Sequence, residues 1–255
     1  LHFWRTRWRE SLAPARGLQP WERLLILATL ALHGAGLFQE VFPGAGMRFG
    51  FGVAAALTLW LAVLFYWLES WSARLEGLHM VVLPAAACAA LLPAFFPGQH
   101  EPANAASAVF RAHFIVAMLA YSLFTLAALH ALLMAATEKR LHRGRVSRAL
   151  ANLPPLLTME ALLFRLIGIG FVLLTLTVVS GVFFSEALFD RPFSFNHKTV
   201  FAIASWLIFA GLLAGRMAYG WRGRTALRWT LAGFLTLVLA YIGSRFVLEV
   251  VLGRG

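Results

Sequence analysis

The chain has 255 residues, of which 60% are hydrophobic and only 13% charged, with a mean hydropathy of +0.76. A soluble domain of this length carries more charge on its surface, so the composition excludes that class and indicates a polytopic membrane protein. The formal net charge is +11, but the basic residues lie in short clusters between apolar runs, which is the pattern of membrane topology and not of a nucleic-acid-binding face.

The chain opens on LHFWRTRWRE, whose first residues read as the end of an earlier apolar span. Seven runs then follow, each long enough to cross about 30 Å of hydrocarbon as a helix: Trp21–Phe38, Phe51–Leu68, Leu78–Phe96, Phe110–Ala136, Leu162–Phe184, Thr199–Met217 and Leu227–Leu252. The period-2 alternation of a membrane barrel is absent, so backbone groups in lipid must be satisfied within helices. The expected fold is therefore all-α, a single polytopic transmembrane helix bundle over residues 1–255 with no second domain. Pro154–Pro155 reads as a turn before an interfacial helix, and glycines at 34/36, 168/170 and 211/215 as sites of close helix approach.

Sixteen of the 22 basic residues fall on one side of these spans: residues 1–23, the turn at Arg74, the connection 137–165 and the turn 216–228. The positive-inside rule makes that side cytoplasmic and puts the 97–110 and 185–198 loops and the C-terminus outside. The one cysteine, Cys88, lies in an apolar run, so no intrachain disulfide and no CxxC site is available.

Orientation sorts the eight histidines. His33 lies in the outer third of its span, His113 at the outer mouth of its own, and His197 just before the next inward-running one. His100 lies in an outer loop, while His130 is 17 residues below His113, about 25 Å along a helix. His79 and His142 belong to the inner side, and His2 to the N-terminal tail.

An ionisable group in a span faces a partner, a cavity or a cofactor. His113 and His197 accordingly have two readings: neutral imidazoles ligating one haem iron from opposite faces, or interfacial anchors whose polar tips reach headgroup water. His33 reads as a third member of that site or as a helix–helix hydrogen-bond donor. Arg111, Lys198, Arg191 and Arg245 are the cations near enough to meet haem propionates, although Glu249, one turn past Arg245, makes a local ion pair equally consistent. Trp60, Trp67, Trp71 and Trp206 read as belt and packing residues, Glu186 and Asp190 as solvated loop charges. Ser180 and Ser185 have no base nearby in sequence, and no HExxH, GxSxG or phosphate loop occurs, which leaves hydrolytic and NTP chemistry without support.

MEALLFRLIGIGFVLLTLTVVSGVFFSE, followed by NHKTVFAIASWLIFAGLLAGRMAYGWRGRTALRWTLAGF and LAYIGSRF, resembles the C-terminal half of the cytochrome c assembly (CcsA/CcmC/HemX-type) haem-handling membrane proteins, nearest to their HemX- and YpjD-like inner-membrane branch. RAHFIVAMLAYSLFTLAAL is similar to the family's H-x-x-x-x-x-x-x-Y-x-x-x-x-L helix. The resemblance covers residues 110–250 through motifs and 20–100 through span order and His33.

It implies an eight-span bacterial inner-membrane protein whose first span precedes Leu1. It also implies a non-covalent b-type haem at the outer, periplasmic face, with His113 and His197 on the iron and His33 matching a histidine of the second span. Lipid, haem, and cytochrome c assembly proteins or an apocytochrome are the expected partners, with no nucleic acid. The tryptophan-rich WGxxWxWD motif of the synthase-type members is replaced here by FFSEALFDRPFSFNHK, and no histidine follows His197. The expectation is thus haem binding or relay supporting cytochrome c maturation or haem homeostasis, not enzymatic haem attachment. The alternatives are a haem-independent permease and a b-type electron-transfer cytochrome.

Overall fold

A computed structural model describes residues 18–42, 47–71, 77–98, 102, 104–142, 154–185 and 196–252. His2, His100, Glu186, Asp190 and Arg191 lie outside the described residues, as does the side chain of His142.

The apolar runs fold as helices: α1 Pro20–Val41, α2 Phe51–Glu69, α3 His79–Ala90, α4 Leu92–Phe95, α5 Ala108–His142, α6 Leu156–Phe183, α7 His197–Tyr219 and α8 Gly223–Val251. Six of them are long and apolar enough to cross a membrane. Where the sequence predicts one span over Leu78–Phe96, α3 and α4 share a shorter run, broken at Leu91. Pro93 causes the break, because it has no N–H for the helical ladder and its ring crowds the preceding turn. At 1.5 Å per residue the His79–Phe95 run reaches only about 25 Å. After Pro154–Pro155 no separate interfacial helix forms, since α6 runs unbroken from Leu156 to Phe183.

Helix α5 is the axis of the bundle. It packs on α2, α6 and α8, while α1 leans on α2, and α7 lies against α6 and α8. Buried Tyr121, Phe124, Leu126, Ala127 and Ala131 carry the α5 face inward, and the rings of Phe124 and Phe209 stack with centroids 3.9 Å apart. The expected glycine sites are real at one member of two pairs and at both members of the third, but aromatic rings fill them. Gly34 receives Trp60, Gly170 receives Phe124, and Gly211 and Gly215 receive Trp229 and Trp221, whereas Gly36 and Gly168 face open space. The closest backbone approach occurs elsewhere. A Cβ on Gly52 would lie 2.5 Å from the Phe96 carbonyl oxygen, which docks the short α4 against the start of α2.

The tryptophans, expected as belt and packing residues, also make hydrogen bonds between helices. The Trp60 indole N–H donates to the Leu30 carbonyl, that of Trp67 to the Arg23 carbonyl, and that of Trp206 to Thr175 Oγ1. The arginine-rich end of the bundle is stapled by polar contacts between helix termini. Arg23 donates to the Ser70 carbonyl, Arg165 pairs with Glu69 at 2.9 Å, Arg224 with Glu138 at 2.8 Å, and Arg216 with Glu160 at 2.7 Å. Each bond joins residues at least 47 positions apart.

Candidate functional site

The opposite end of the bundle, where α2, α5 and α7 begin, carries the candidate residues. Asn196 starts α7 there by accepting the Thr199 N–H on its side-chain oxygen at 3.1 Å, which satisfies one orphan donor of the first turn. His197 is consequently the first residue of the helix, and it is exposed. One position on, half-buried Lys198 turns inward, with its ammonium 5.7 Å from the centroid of the Tyr241 ring.

His113 lies one and a half turns into α5 and faces α6. Its Nδ1 is 2.8 Å from Ser180 Oγ, and the Ser180 hydroxyl donates in turn to the Thr177 carbonyl at 3.1 Å. Ser180 has one proton to give. In the tautomer in which that proton goes to the Thr177 carbonyl, the ring Nδ1–H donates to Ser180 and Nε2 is the nitrogen that can ligate. A metal-binding histidine is oriented in this way, its remote nitrogen fixed by a neighbour so that the other can ligate. Sequence reading found no base near Ser180 because its partner is 67 residues away.

His33 sits on α1, half-buried, next to the Gly34–Trp60 contact that holds α1 to α2. Its Nε2 is buried without a hydrogen-bond partner among the described residues. Arg111 is exposed and its Nε donates to the Ala105 carbonyl at 3.0 Å, so the guanidinium is turned to the preceding loop. Two residues before His113, it points to a different face of α5.

Arg245 is 8% exposed and lies in the last third of α8, where turns Leu239–Gly243 and Val247–Val251 are π-helical. Its guanidinium carbon is 5.9 Å from the Tyr241 centroid, so the two cations share that ring. Glu249 Oε1 is 3.7 Å from Arg245 Nη1, while Glu249 Oε2 accepts the Phe51 N–H at 2.8 Å. The sequence-level alternative of an Arg245–Glu249 ion pair is thus present, and Glu249 also caps α2. Tyr241 and the Phe51 amide had no signal in the sequence, since only the fold brings the end of α8 to the start of α2. Phe49 closes this corner, with its ring 4.8 Å from Phe114 and 6.0 Å from Tyr241.

The candidate residues therefore divide among seams: His113 between α5 and α6, His197 on the open first turn of α7 and Lys198 with Arg245 around Tyr241 lie at this end, whereas His33 lies deeper, on α1 at the level of Trp60 in the middle of α2. Among the described residues no group of three or more His, Cys, Asp or Glu could hold a metal ion by itself. The donor set suits an amphipathic ring: imidazole nitrogens for an iron, apolar walls, and two cations for carboxylates. In the other half of the bundle, buried His130 closes on the Met159 carbonyl at 2.8 Å, in keeping with a structural role. His79 is buried, not solvated, with its ring centroid 6.5 Å from that of Tyr66.

The chain is 32% identical over 160 residues to the inner membrane protein YpjD of Escherichia coli, a stretch covering 63% of this chain and 60% of that one. It is 29% identical over 204 residues to a 28.8 kDa protein of Azospirillum brasilense, covering 79% and 73%. It is 32% identical over 98 residues to the cytochrome c biogenesis protein CcsA of Picosynechococcus sp., covering 38% of this chain and 28% of that one. The matched part thus spans less than two thirds of YpjD and of CcsA. No solved structure matches. The profile of the cytochrome C assembly protein family matches residues 21–252, all but the two ends of the chain, and on that match the chain belongs to this family of helical membrane proteins.

Proposed function

We propose that this chain is an inner-membrane haem-handling protein that supports cytochrome c maturation or haem homeostasis, with the histidine end of the bundle on the periplasmic side. His113 and His197 are the axial ligands of a non-covalently held haem, and His33 is a further or alternative ligand. Lys198 and Arg245 receive the propionates, while Arg111 contributes only by leaving the Ala105 carbonyl. When bound, haem is the cargo and brings the iron chemistry with it; the protein supplies replaceable imidazoles and fixed charge. Assembly proteins or an apocytochrome are the recipients.

The observation that carries the reading is the hydrogen bond between His113 Nδ1 and Ser180 Oγ, which holds the imidazole at the end of the bundle where Lys198 and Arg245 also lie. The family membership and the similarity to CcsA support the same reading. A b-type electron-transfer cytochrome with a second haem is less well supported, because the Nε2 of His130 is engaged by the Met159 carbonyl.

The test is spectral. Purified protein supplied with haem should develop a Soret band that His113→Ala and His197→Ala each weaken or abolish. No specific band, or spectra unchanged in both variants, refutes the site. Ser180→Ala should leave the band but broaden or shift it, since Nδ1 loses the hydrogen-bond partner that orients the ring.

A further inference from the structure

Glu249 is shared between Arg245 and the start of α2. Its Oε2 accepts the first N–H of α2, where a carboxylate gains from both the hydrogen bond and the helix dipole. Gly50 makes room for it, because a Cβ there would meet Glu249 Oε2 at 3.0 Å and the Gly98 Cα at 2.9 Å. The carboxylate so placed stops 3.7 Å short of Arg245 Nη1.

The consequence is an unfinished ionic site. Arg245 Nε and Glu249 Oε1 are both buried with no hydrogen-bond partner among the described residues. The two side chains are only 10% and 12% exposed, too little for bulk water to complete them. Lys198 adds a second cation on the same Tyr241 ring. Two buried or half-buried cations thus face one carboxylate that is shared with α2, leaving room in the charge balance for one more anion. A buried charge without adequate compensation is costly, so the corner favours an incoming carboxylate while Glu249 repels it.

We infer that Lys198, Tyr241 and Arg245 form a carboxylate subsite, and that Glu249, fixed to the start of α2, deliberately weakens it so that a bound carboxylate-bearing ligand stays exchangeable. This rests on the haem reading above and names what that site adds to it: a built-in counter-charge that favours release. Tyr241 and Glu249 stand four residues before and after Arg245, the spacing at which helical side chains meet, and π-helical turns, which recur where a helix is shaped for function, flank Arg245 on both sides. Glu249 is a positioning residue and touches no iron.

The experiment uses the full chain in detergent, loaded with haem or with haem dimethyl ester, and follows loss of the Soret band to excess haem-free myoglobin. Glu249→Gln keeps an amide oxygen for the Phe51 N–H and removes only the charge. It should release haem about tenfold more slowly than the parent, equivalent to about 1.4 kcal/mol, and release the dimethyl ester at the parent's rate. Lys198→Met should release haem faster and leave the ester unaffected, which keeps the test decisive if Glu249→Gln does not fold. Equal haem release from parent and Glu249→Gln, or the same slowing with the ester, overturns the carboxylate subsite while leaving haem binding intact. Absence of any Soret band in the parent, with either ring, instead overturns the haem reading itself.

Discussion

Glu160→Ala is the most informative perturbation of the fold. Glu160 has 10% of its side chain exposed, accepts from Arg216 at 2.7 Å, and lies 3.5 Å from Arg222 Nε. Arg216 also donates to the Trp221 carbonyl at 3.2 Å and lies 4.6 Å over Phe164. This one carboxylate therefore ties the start of α6 to the end of α7 and to the turn before α8. Removing one member of a buried pair costs about 3–5 kcal/mol because the partner charge is stranded. Arg216 is 27% exposed and keeps Trp221, so about 2 kcal/mol is expected. For a chain of this length that lowers the unfolding midpoint by about 4–8 °C. Thermal unfolding in detergent, followed by circular dichroism, measures it. Glu160→Gln should lose roughly half as much, and Arg222→Ala, 61% exposed and at 3.5 Å, less than about 0.5 kcal/mol. A Glu160→Ala midpoint within 1 °C of the parent, or an Arg222→Ala loss as large as that of Glu160→Ala, refutes the assignment of the staple to the Glu160–Arg216 contact.

Other outcomes follow from close packing and topology. Gly52→Ala should destabilise the chain by at least about 1–3 kcal/mol in the same melt, because the Phe96 carbonyl is backbone and cannot swing aside. Gly36→Ala, which meets nothing within 4 Å, should be neutral or slightly stabilising. Gly215→Ala should also destabilise, since its Cβ would overlap the Trp221 indole beside the Glu160 staple. With Cys88 replaced, a cysteine at Asn196 should react with an impermeant thiol reagent added outside whole cells, and one at Arg224 only after the membrane is opened. The reverse pattern would place the histidine end in the cytoplasm and remove the periplasmic part of the proposal.

Hydrophobic run length was enough to determine the class and, outside the Leu78–Phe96 run, the spans. These are local properties: a helix in lipid satisfies its own backbone, so each span is legible without knowing its neighbours. The break at Leu91 was in principle readable from Pro93 but was masked by the continuous apolar run around it. What only the tertiary structure decided are contacts between spans. Ser180 turns from a serine without a base into the residue that orients His113. Glu249, one turn beyond Arg245 in sequence, pairs with its neighbour at 3.7 Å and also caps α2 across the bundle. In lipid such pairings are selected by which helices lie side by side and at what rotation, and hydropathy carries no record of either. The sequence by itself thus determined the elements and their ends, and the packing around α5 decided which polar groups meet there.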